Sequence, residues 1–166
     1  MKKLLLPTSL LVAFVCLAVP SHAQDNELER PDKCGVAEVD KFVNKSFDTY
    51  EESLEISKAV KFFSVQGEGD EKHITNAQGE PISKPDALAQ LAELLVRAKK
   101  QNDNIQSVQD LQKPATDAAK KAPMQKKPKA TKNLKIGADA LSKSVQETKK
   151  QIEEIDKQIE EIKSME

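Results

Sequence analysis

The chain has 166 residues, of which 32% are charged and 38% hydrophobic, and its formal net charge at pH 7 is -1. It contains no Trp, one Tyr and five Phe, so it has few large aromatic side chains with which to fill the core of a β-sandwich or barrel. This composition favours one modest domain of packed helices over a large globular core.

The first 23 residues are predicted to be a secretory signal peptide. Two lysines begin it, residues 4–19 are nearly all apolar, and a small-x-small cleavage site ends at Ala23. A retained membrane anchor is an alternative, but this apolar stretch is shorter than a membrane-spanning helix needs. A lipid attachment at Cys16 is a second alternative. The predicted location is therefore the periplasm or the cell exterior, with no transmembrane span left after cleavage.

Residues 24–35 are predicted to be a flexible lead that precedes the first helix. Once the signal is removed, Cys34 is the only cysteine, so an intramolecular disulfide cannot form. In an oxidising compartment such a residue is either a free thiol or a candidate for an intermolecular disulfide with a second copy or a partner.

A periodic segment from about residue 36 to residue 63 predicts the first helix. Its apolar residues recur every three or four positions and form two adjacent stripes, so the helix is expected to contact at least two neighbours. The stripes consist of Val36, Val39, Val43, Phe47, Tyr50 and Leu54, and of Phe42, Ile56, Val60 and Phe63.

Residues 64–84 are predicted to be a loop, because they are rich in Gly and polar residues and show little periodicity. A short β-hairpin around Ile74 and Ile82 is the alternative. An isolated hairpin is only marginally stable in water, so the loop is the favoured interpretation.

A second helix is predicted to follow, because Ser83 can cap it and a proline lies in its first turn. The apolar stripe of this helix is interrupted at residues 101–104, where the helix either kinks or carries a polar layer. It is predicted to end at Pro114, since proline disrupts a helix interior. Residues 36–112 are thus predicted to form a helical hairpin with its loop at 64–84.

Residues 113–136 are predicted to be an extended basic linker, because they carry eight Lys, one acidic residue and three Pro. The segments on both sides of it are net negative. Without Arg or aromatic residues the linker is not suited to sequence-specific nucleic-acid binding, but it is a candidate contact for an anion. The lysines proposed for that contact are Lys120, Lys121, Lys126, Lys127, Lys129 and Lys132.

Residues 137–166 are predicted to form a coiled-coil helix, because its apolar positions alternate in steps of three and four over more than three heptads. This narrow seam needs a partner helix, from this chain or from another copy. Whether the helix folds back or stands apart is left open. The predicted interaction seam consists of Leu141, Val145, Thr148, Ile152, Ile155, Ile159 and Ile162.

No arrangement of residues typical of an active site, a cofactor site or a metal site is found in the sequence. After cleavage His73 and Cys34 are the only His and Cys, and no orienting third group is visible. Asp70 and Glu71, close to His73, lack the spacing typical of a zinc site. The chain is therefore predicted to be non-enzymatic and to need no cofactor or metal.

These features predict an all-α fold, a long-helix bundle or coiled coil of about three helices. The favoured function is an exported interaction or scaffold protein that acts through coiled-coil packing, with a protein partner or a second copy bound through the helices. The alternative is a periplasmic holdase, or a binding module, whose basic linker contacts an unfolded partner or an anionic component of the envelope.

Overall fold

The computed structural model describes residues 28–61, 63–66, 73–76 and 79–165. Most of them belong to three helices: α1 (Ala37–Val60), α2 (Lys84–Lys121) and α3 (Lys127–Lys163). At 1.5 Å per residue, α1 is about 36 Å long and the other two are each about 56 Å long. The predicted signal peptide lies outside the described residues.

The three helices pack side by side, and each contacts the other two. The predicted all-α fold is therefore confirmed, as is the expectation that α1 contacts two neighbours. α3 folds back onto α1 and α2 rather than standing apart. This arrangement answers the question that the sequence left open about the C-terminal helix.

The chain between α1 and α2 forms a small antiparallel sheet. Its strands are β1 (Ser64–Gln66), β2 (His73–Thr75) and β3 (Pro81–Ile82), and they neighbour one another in that order. Ile74 pairs with Ile82, so the loop interpretation was wrong for these strands and the alternative hairpin is present. The strands are stabilised by packing, because Ile74 is buried in an apolar cluster of the bundle. Gly79 turns the chain between β2 and β3 with a φ of 77°, which costs glycine little.

α2 begins as predicted, because the Ser83 side chain accepts a hydrogen bond of 3.2 Å from the backbone N–H of Asp86. It does not end at Pro114, which lies inside the helix on an exposed side. The neighbouring Ala115 and Ala119 are buried against the rest of the bundle. Their packing outweighs the helix-breaking tendency of Pro114, because tertiary contacts can override the helix propensity of a single residue.

The predicted linker at residues 113–136 was also wrong, because nearly all of it is helical. Its first part continues α2 and its last part begins α3, which leaves only residues 122–126 as a turn. Pro123 lies in this turn, and its carbonyl oxygen accepts hydrogen bonds from the backbone N–H groups of Lys126, at 2.8 Å, and Lys127, at 2.9 Å. Pro128 lies in the first turn of α3, where a missing N–H costs nothing.

The predicted flexible lead is held against the bundle over residues 28–35. Arg30 donates a hydrogen bond of 2.9 Å to Asp48 and one of 3.0 Å to Glu51 on α1. Its guanidinium also lies over the ring of Phe47, 5.7 Å from the centroid. Leu28 packs against the core. Residues 24–27 lie outside the described residues.

The core consists of two apolar clusters separated by polar side chains. The first cluster surrounds the aromatic residues of α1, and the second lies near the small sheet. Buried residues of the first cluster are Cys34, Val39, Phe42, Val43, Phe47, Tyr50, Ile105, Val108, Ala115, Ala119, Ala130, Ala140 and Leu141. Buried residues of the second are Ile56, Val60, Ile74, Ala87, Leu91, Ala98, Ile155 and Ile162.

Candidate interaction surfaces

The seam predicted on α3 is mostly used inside the bundle. Its buried members are Leu141, Thr148, Ile155 and Ile162, each exposed by 4% or less. Ile152 and Ile159 are partly buried against the second apolar cluster. Val145 is the exception, with 40% of its surface exposed. The partner helices that the seam required are therefore α1 and α2 of the same chain.

Between the two apolar clusters lies a polar layer formed by Thr49, Ser53, Gln101, Thr148 and Gln151. All five are buried. The amide nitrogen of Gln101 donates to the carbonyl oxygen of Thr49 at 2.5 Å and to the hydroxyl of Ser53 at 3.2 Å. The amide nitrogen of Gln151 donates to the carbonyl oxygen of Ser53 at 2.5 Å. The interruption at residues 101–104 is thus a polar layer in a continuous helix, which was one of the two predicted alternatives.

A groove with a volume of about 710 Å³ runs between the C-terminal half of α1 and α3. Gln151 and Gln158 both line it. Their side-chain nitrogens donate hydrogen bonds to α1, to the carbonyl oxygens of Ser53 and Val60 respectively. Their Oε1 atoms are buried and accept no hydrogen bond from the described residues. These two acceptors are shielded from solvent, including the open space of the groove, although buried acceptors usually have a partner.

The six lysines predicted to contact an anion lie at one end of the bundle. Lys120 and Lys121 belong to the last turn of α2, and the other four lie at the start of α3. Because α2 and α3 are antiparallel and joined by a five-residue turn, these side chains share the same end. All six residues are exposed. We call this surface the basic end, defined by Lys120, Lys121, Lys126, Lys127, Lys129 and Lys132.

The start of α3 adds to the positive potential of the basic end. The first turn of α3 contains no acidic residue, and Lys126 at the N-cap position makes no side-chain capping hydrogen bond. The N-terminus of a helix is itself electropositive, so lysines there repel the helix dipole. The ammonium of Lys126 partly offsets this repulsion, because it donates a hydrogen bond of 3.1 Å to the carbonyl oxygen of Gly35.

Met124 lies at the apex of the basic end and is 86% exposed. It borders a shallow open concavity of about 560 Å³, together with Pro128, Lys127 and Lys132. An exposed methionine beside Lys127 and Lys132 combines an apolar contact with positive charge. Neither the convergence of the lysines nor the exposure of Met124 was predicted, because the sequence suggested an extended linker.

Cys34 is buried, with 7% of its surface exposed. Burial is the main cause that raises the pKa of its thiol, and the neighbouring Asp40 carboxylate raises it further. A buried thiol with a raised pKa is a poor nucleophile. The intermolecular disulfide proposed for Cys34 therefore requires the segment around it to open.

Asp40 holds this segment in place. Its carboxylate accepts hydrogen bonds from the backbone N–H groups of Cys34, at 2.8 Å, and of Gly35, at 3.0 Å. Burial acts to raise the pKa of Asp40, but these hydrogen bonds and the charge of Lys33 outweigh it, so the pKa lies below the ordinary 3.8. Gly35 has a φ of 74°, which suits the turn that presents both N–H groups.

Asp40 is expected to make the stability of the folded protein depend on pH in the acidic range. A carboxyl whose pKa is lower in the folded state stabilises the fold above its unfolded pKa, and this contribution is lost as the pH falls through the folded pKa. Thermal midpoints should therefore fall more steeply below about pH 4 in the parent protein than in Asp40→Asn. Asp139→Asn, at an exposed position, is the control. Equal acid dependence in the parent and in Asp40→Asn would contradict this role.

Among the described residues no helix is both long and apolar enough to cross a membrane. The same part of the chain contains no group of three or more His, Cys, Asp or Glu side chains arranged to hold a metal ion. Asp70 and Glu71 lie outside it. Comparison of the chain with models of protein families, with curated proteins and with solved structures found no match.

Proposed function

We propose that this chain is an exported, non-enzymatic interaction protein whose basic end binds an anionic membrane surface of the cell envelope. The observation that carries the proposal is that six exposed lysines and the exposed Met124 lie at the same end of the bundle. Export is supported by the lysines, the apolar stretch and the cleavage site of residues 1–23.

The basic end is favoured over the α3 seam as the binding surface. A scaffold that acts through coiled-coil packing needs an exposed seam, whereas Ile155 and Ile162 are buried by α1 and α2 of the same chain. Binding through the seam would require the bundle to open. Binding through the basic end requires no rearrangement.

Charge and shape at the basic end both suit an anionic bilayer. Each Lys near such a surface contributes about 1 kcal/mol, and the attraction falls off within a Debye length. Helical backbone on both sides of the turn holds the lysines together, so less conformational entropy is lost on binding than from a flexible linker. Met124 can enter the boundary between headgroups and acyl chains, where an apolar side chain is stabilised.

Vesicle flotation of residues 24–166 tests this proposal. We expect the protein to float with vesicles that contain anionic phosphatidylglycerol and not with vesicles of neutral phosphatidylcholine. Binding should weaken strongly when salt is raised, because the lysines are screened. The triple variant Lys127→Gln, Lys129→Gln and Lys132→Gln should lose about 3 kcal/mol of binding free energy at low salt.

The control carries the same change of net charge away from the basic end, at three exposed lysines: Lys99→Gln, Lys100→Gln and Lys149→Gln. It should bind nearly as well as the parent protein. If the parent protein does not bind anionic vesicles, or if the two triple variants lose binding equally, the basic end is not a membrane-binding surface. Met124→Ser should weaken binding without changing its dependence on salt.

A further inference from the structure

We propose that residues 24–27 dock in a lysine-lined concavity between α1 and α3 and are held there by the carboxylates of Asp25 and Glu27. The chain contains both acidic residues whether or not the signal peptide is removed. No lysine of the basic end is among the described residues that line this concavity. The proposal therefore does not rest on membrane binding.

The lead, residues 28–35, runs along the bundle toward this concavity. The carbonyl oxygen of Asp32 accepts a hydrogen bond of 2.7 Å from the side chain of Asn133 on α3. Two residues earlier in the chain, Arg30 reaches Glu51 on α1 at 3.0 Å. Leu28, the first described residue, packs against the first apolar cluster. Traced from residue 35 back to residue 28, the lead thus passes from the start of α1 toward its C-terminal half.

The concavity lies between α1 and α3, in the direction in which the lead points. It has a volume of about 320 Å³, and Tyr50 and Leu54 provide its apolar lining. Both residues belong to the cluster against which Leu28 packs, so the apolar surface under the lead extends into the concavity. The other lining residues are Ser57, Lys58, Lys61, Lys143, Gln146, Glu147 and Lys150.

Positive charge exceeds negative charge in the concavity, since four Lys and one Glu line it. The carboxylate of Glu147 already has partners, because it pairs with Lys150 at 3.2 Å and accepts a hydrogen bond of 3.1 Å from Ser57. Neither Lys58 nor Lys61 forms an ion pair with a described residue. The charges therefore favour an acidic occupant.

The length of the chain brings the two acidic residues to these lysines. Glu27 lies three residues before Arg30, which corresponds to about 10 Å of extended chain. Lys58 lies seven residues beyond Glu51 on α1, which is also about 10 Å along the helix axis. Asp25 extends about 7 Å farther toward the end of α1. Both carboxylates can therefore reach the concavity while the lead keeps its contacts.

The covalent connection favours this segment over an anion from outside. Ion pairs at a protein surface are individually weak, so two carboxylates on a separate molecule would bind poorly. The short connection to the anchored lead gives residues 24–27 an effective concentration on the order of millimolar beside the lysines. Two weak ion pairs can then hold the segment in place.

A nitroxide label at residue 26 tests the proposal through paramagnetic broadening of NMR signals. The mature chain carries Asn26→Cys and Cys34→Ala, so that the label has a single attachment site. We expect strong broadening of the backbone amide signals of Leu54, Lys58 and Gln146, on both sides of the concavity, and little at the basic end. High salt should reduce the broadening, because it screens the ion pairs.

Removal of the two carboxylates should release the segment. In labelled Asp25→Asn, Glu27→Gln the ratio of docked to free segment, obtained from the remaining broadening, should fall by about tenfold, within the range expected for two surface ion pairs. The control, Glu29→Gln with Asp32→Asn, removes the same charge from two exposed residues of the lead. It should leave the broadening unchanged.

Reversal of the charges identifies the lysines that hold the segment. Asp25→Lys with Glu27→Lys should abolish the broadening at the concavity, because like charges then meet. Addition of Lys58→Glu and Lys61→Glu to that variant should restore it. If the broadening does not return, these lysines do not hold the segment and the proposal is wrong.

Two results with the acidic residues would also overturn the proposal. One is the absence of broadening at the concavity in the labelled protein, and the other is equal broadening in Asp25→Asn, Glu27→Gln. If Cys34→Ala does not fold, the amide chemical shifts of the unlabelled parent and of the same double variant decide the question, and identical shifts at residues 54–61 and 143–150 would contradict docking. Vesicle binding by the basic end can succeed or fail independently of these results.

Discussion

Replacing Ile155 with Lys is expected to destabilise the protein severely, by several kcal/mol. Ile155 is fully buried in the second apolar cluster, and an unpaired ammonium placed there loses its hydration without gaining a partner. Domains of this size are stable by only about 5–15 kcal/mol, so the loss is a large fraction of the total. Thermal melting followed by circular dichroism should show a much lower midpoint, while sedimentation should show no change in association state.

The matched control is Val145→Lys, in the same seam but at a residue with 40% of its surface exposed. Its ammonium can reach water, so the free energy of unfolding should change by only about 0.5 kcal/mol. A different outcome would overturn the assignment of the seam to the core. If Ile155→Lys dissociated an oligomer while the helices kept their midpoint, the seam would face another copy of the chain.

Gly137→Leu is expected to be the second most damaging change. A Cβ added at Gly137 would lie 3.1 Å from side-chain atoms of Phe42 and of Val43, and 3.3 Å from the Cα of Val43. The backbone of α1 cannot move as a single side chain can, so the two helices must separate. Overpacking of this kind typically costs about 1–3 kcal/mol. Urea unfolding should show a lower midpoint with an unchanged slope.

Gly137→Ala separates helix propensity from close packing. Alanine favours a helix over glycine by about 1 kcal/mol, yet its Cβ meets the same three atoms. We expect its unfolding midpoint to lie between those of the parent protein and of Gly137→Leu. A midpoint well above that of the parent would show that α1 and α3 do not approach as closely as the structure has them.

Periodicity predicted the helices well wherever one face is apolar throughout. The apolar stripes on α1 and the seam on α3 correspond to the buried faces of these two helices. Apolar residues that repeat about every 3.6 positions all lie on one face only when the segment is helical. The sequence could not decide which chain supplies the partners of the seam. A heptad pattern is satisfied equally by a second copy and by two other helices of the same chain.

The prediction of a linker at residues 113–136 was wrong for an identifiable reason. Like charges and three prolines suggested an extended chain, but their effect depends on where each residue lies. Pro128 lies in the first turn of α3, where proline is favoured. Ala115 and Ala119 bury a face of α2 that is too small to show as an apolar stripe in the sequence. Small residues allow close helix packing, and hydrophobicity alone does not reveal it.

The α1–α3 groove could not be found from the sequence. From the sequence, Gln151 and Gln158 are expected to be surface residues of a coiled coil, since Gln is usually exposed. Only the positions of Ser53 and Val60 across the interface show that both amides are held there. The lysines of the basic end were identified as a set, but their convergence depends on the turn at 122–126.

The polar layer sets the alignment of the helices along the bundle axis. A shift of one helix by a turn, about 5.4 Å, would replace one aliphatic residue by another over most of the apolar clusters, although at Gly137 it would bring a side chain against α1. After such a shift Gln101 and Gln151 would lose the carbonyl oxygens of Thr49 and Ser53 and leave buried amides without acceptors, at a cost of about 1–3 kcal/mol each. Replacing both glutamines with leucine should therefore give a bundle that still folds but samples more than one register. In coiled coils a single buried asparagine fixes the register in the same way.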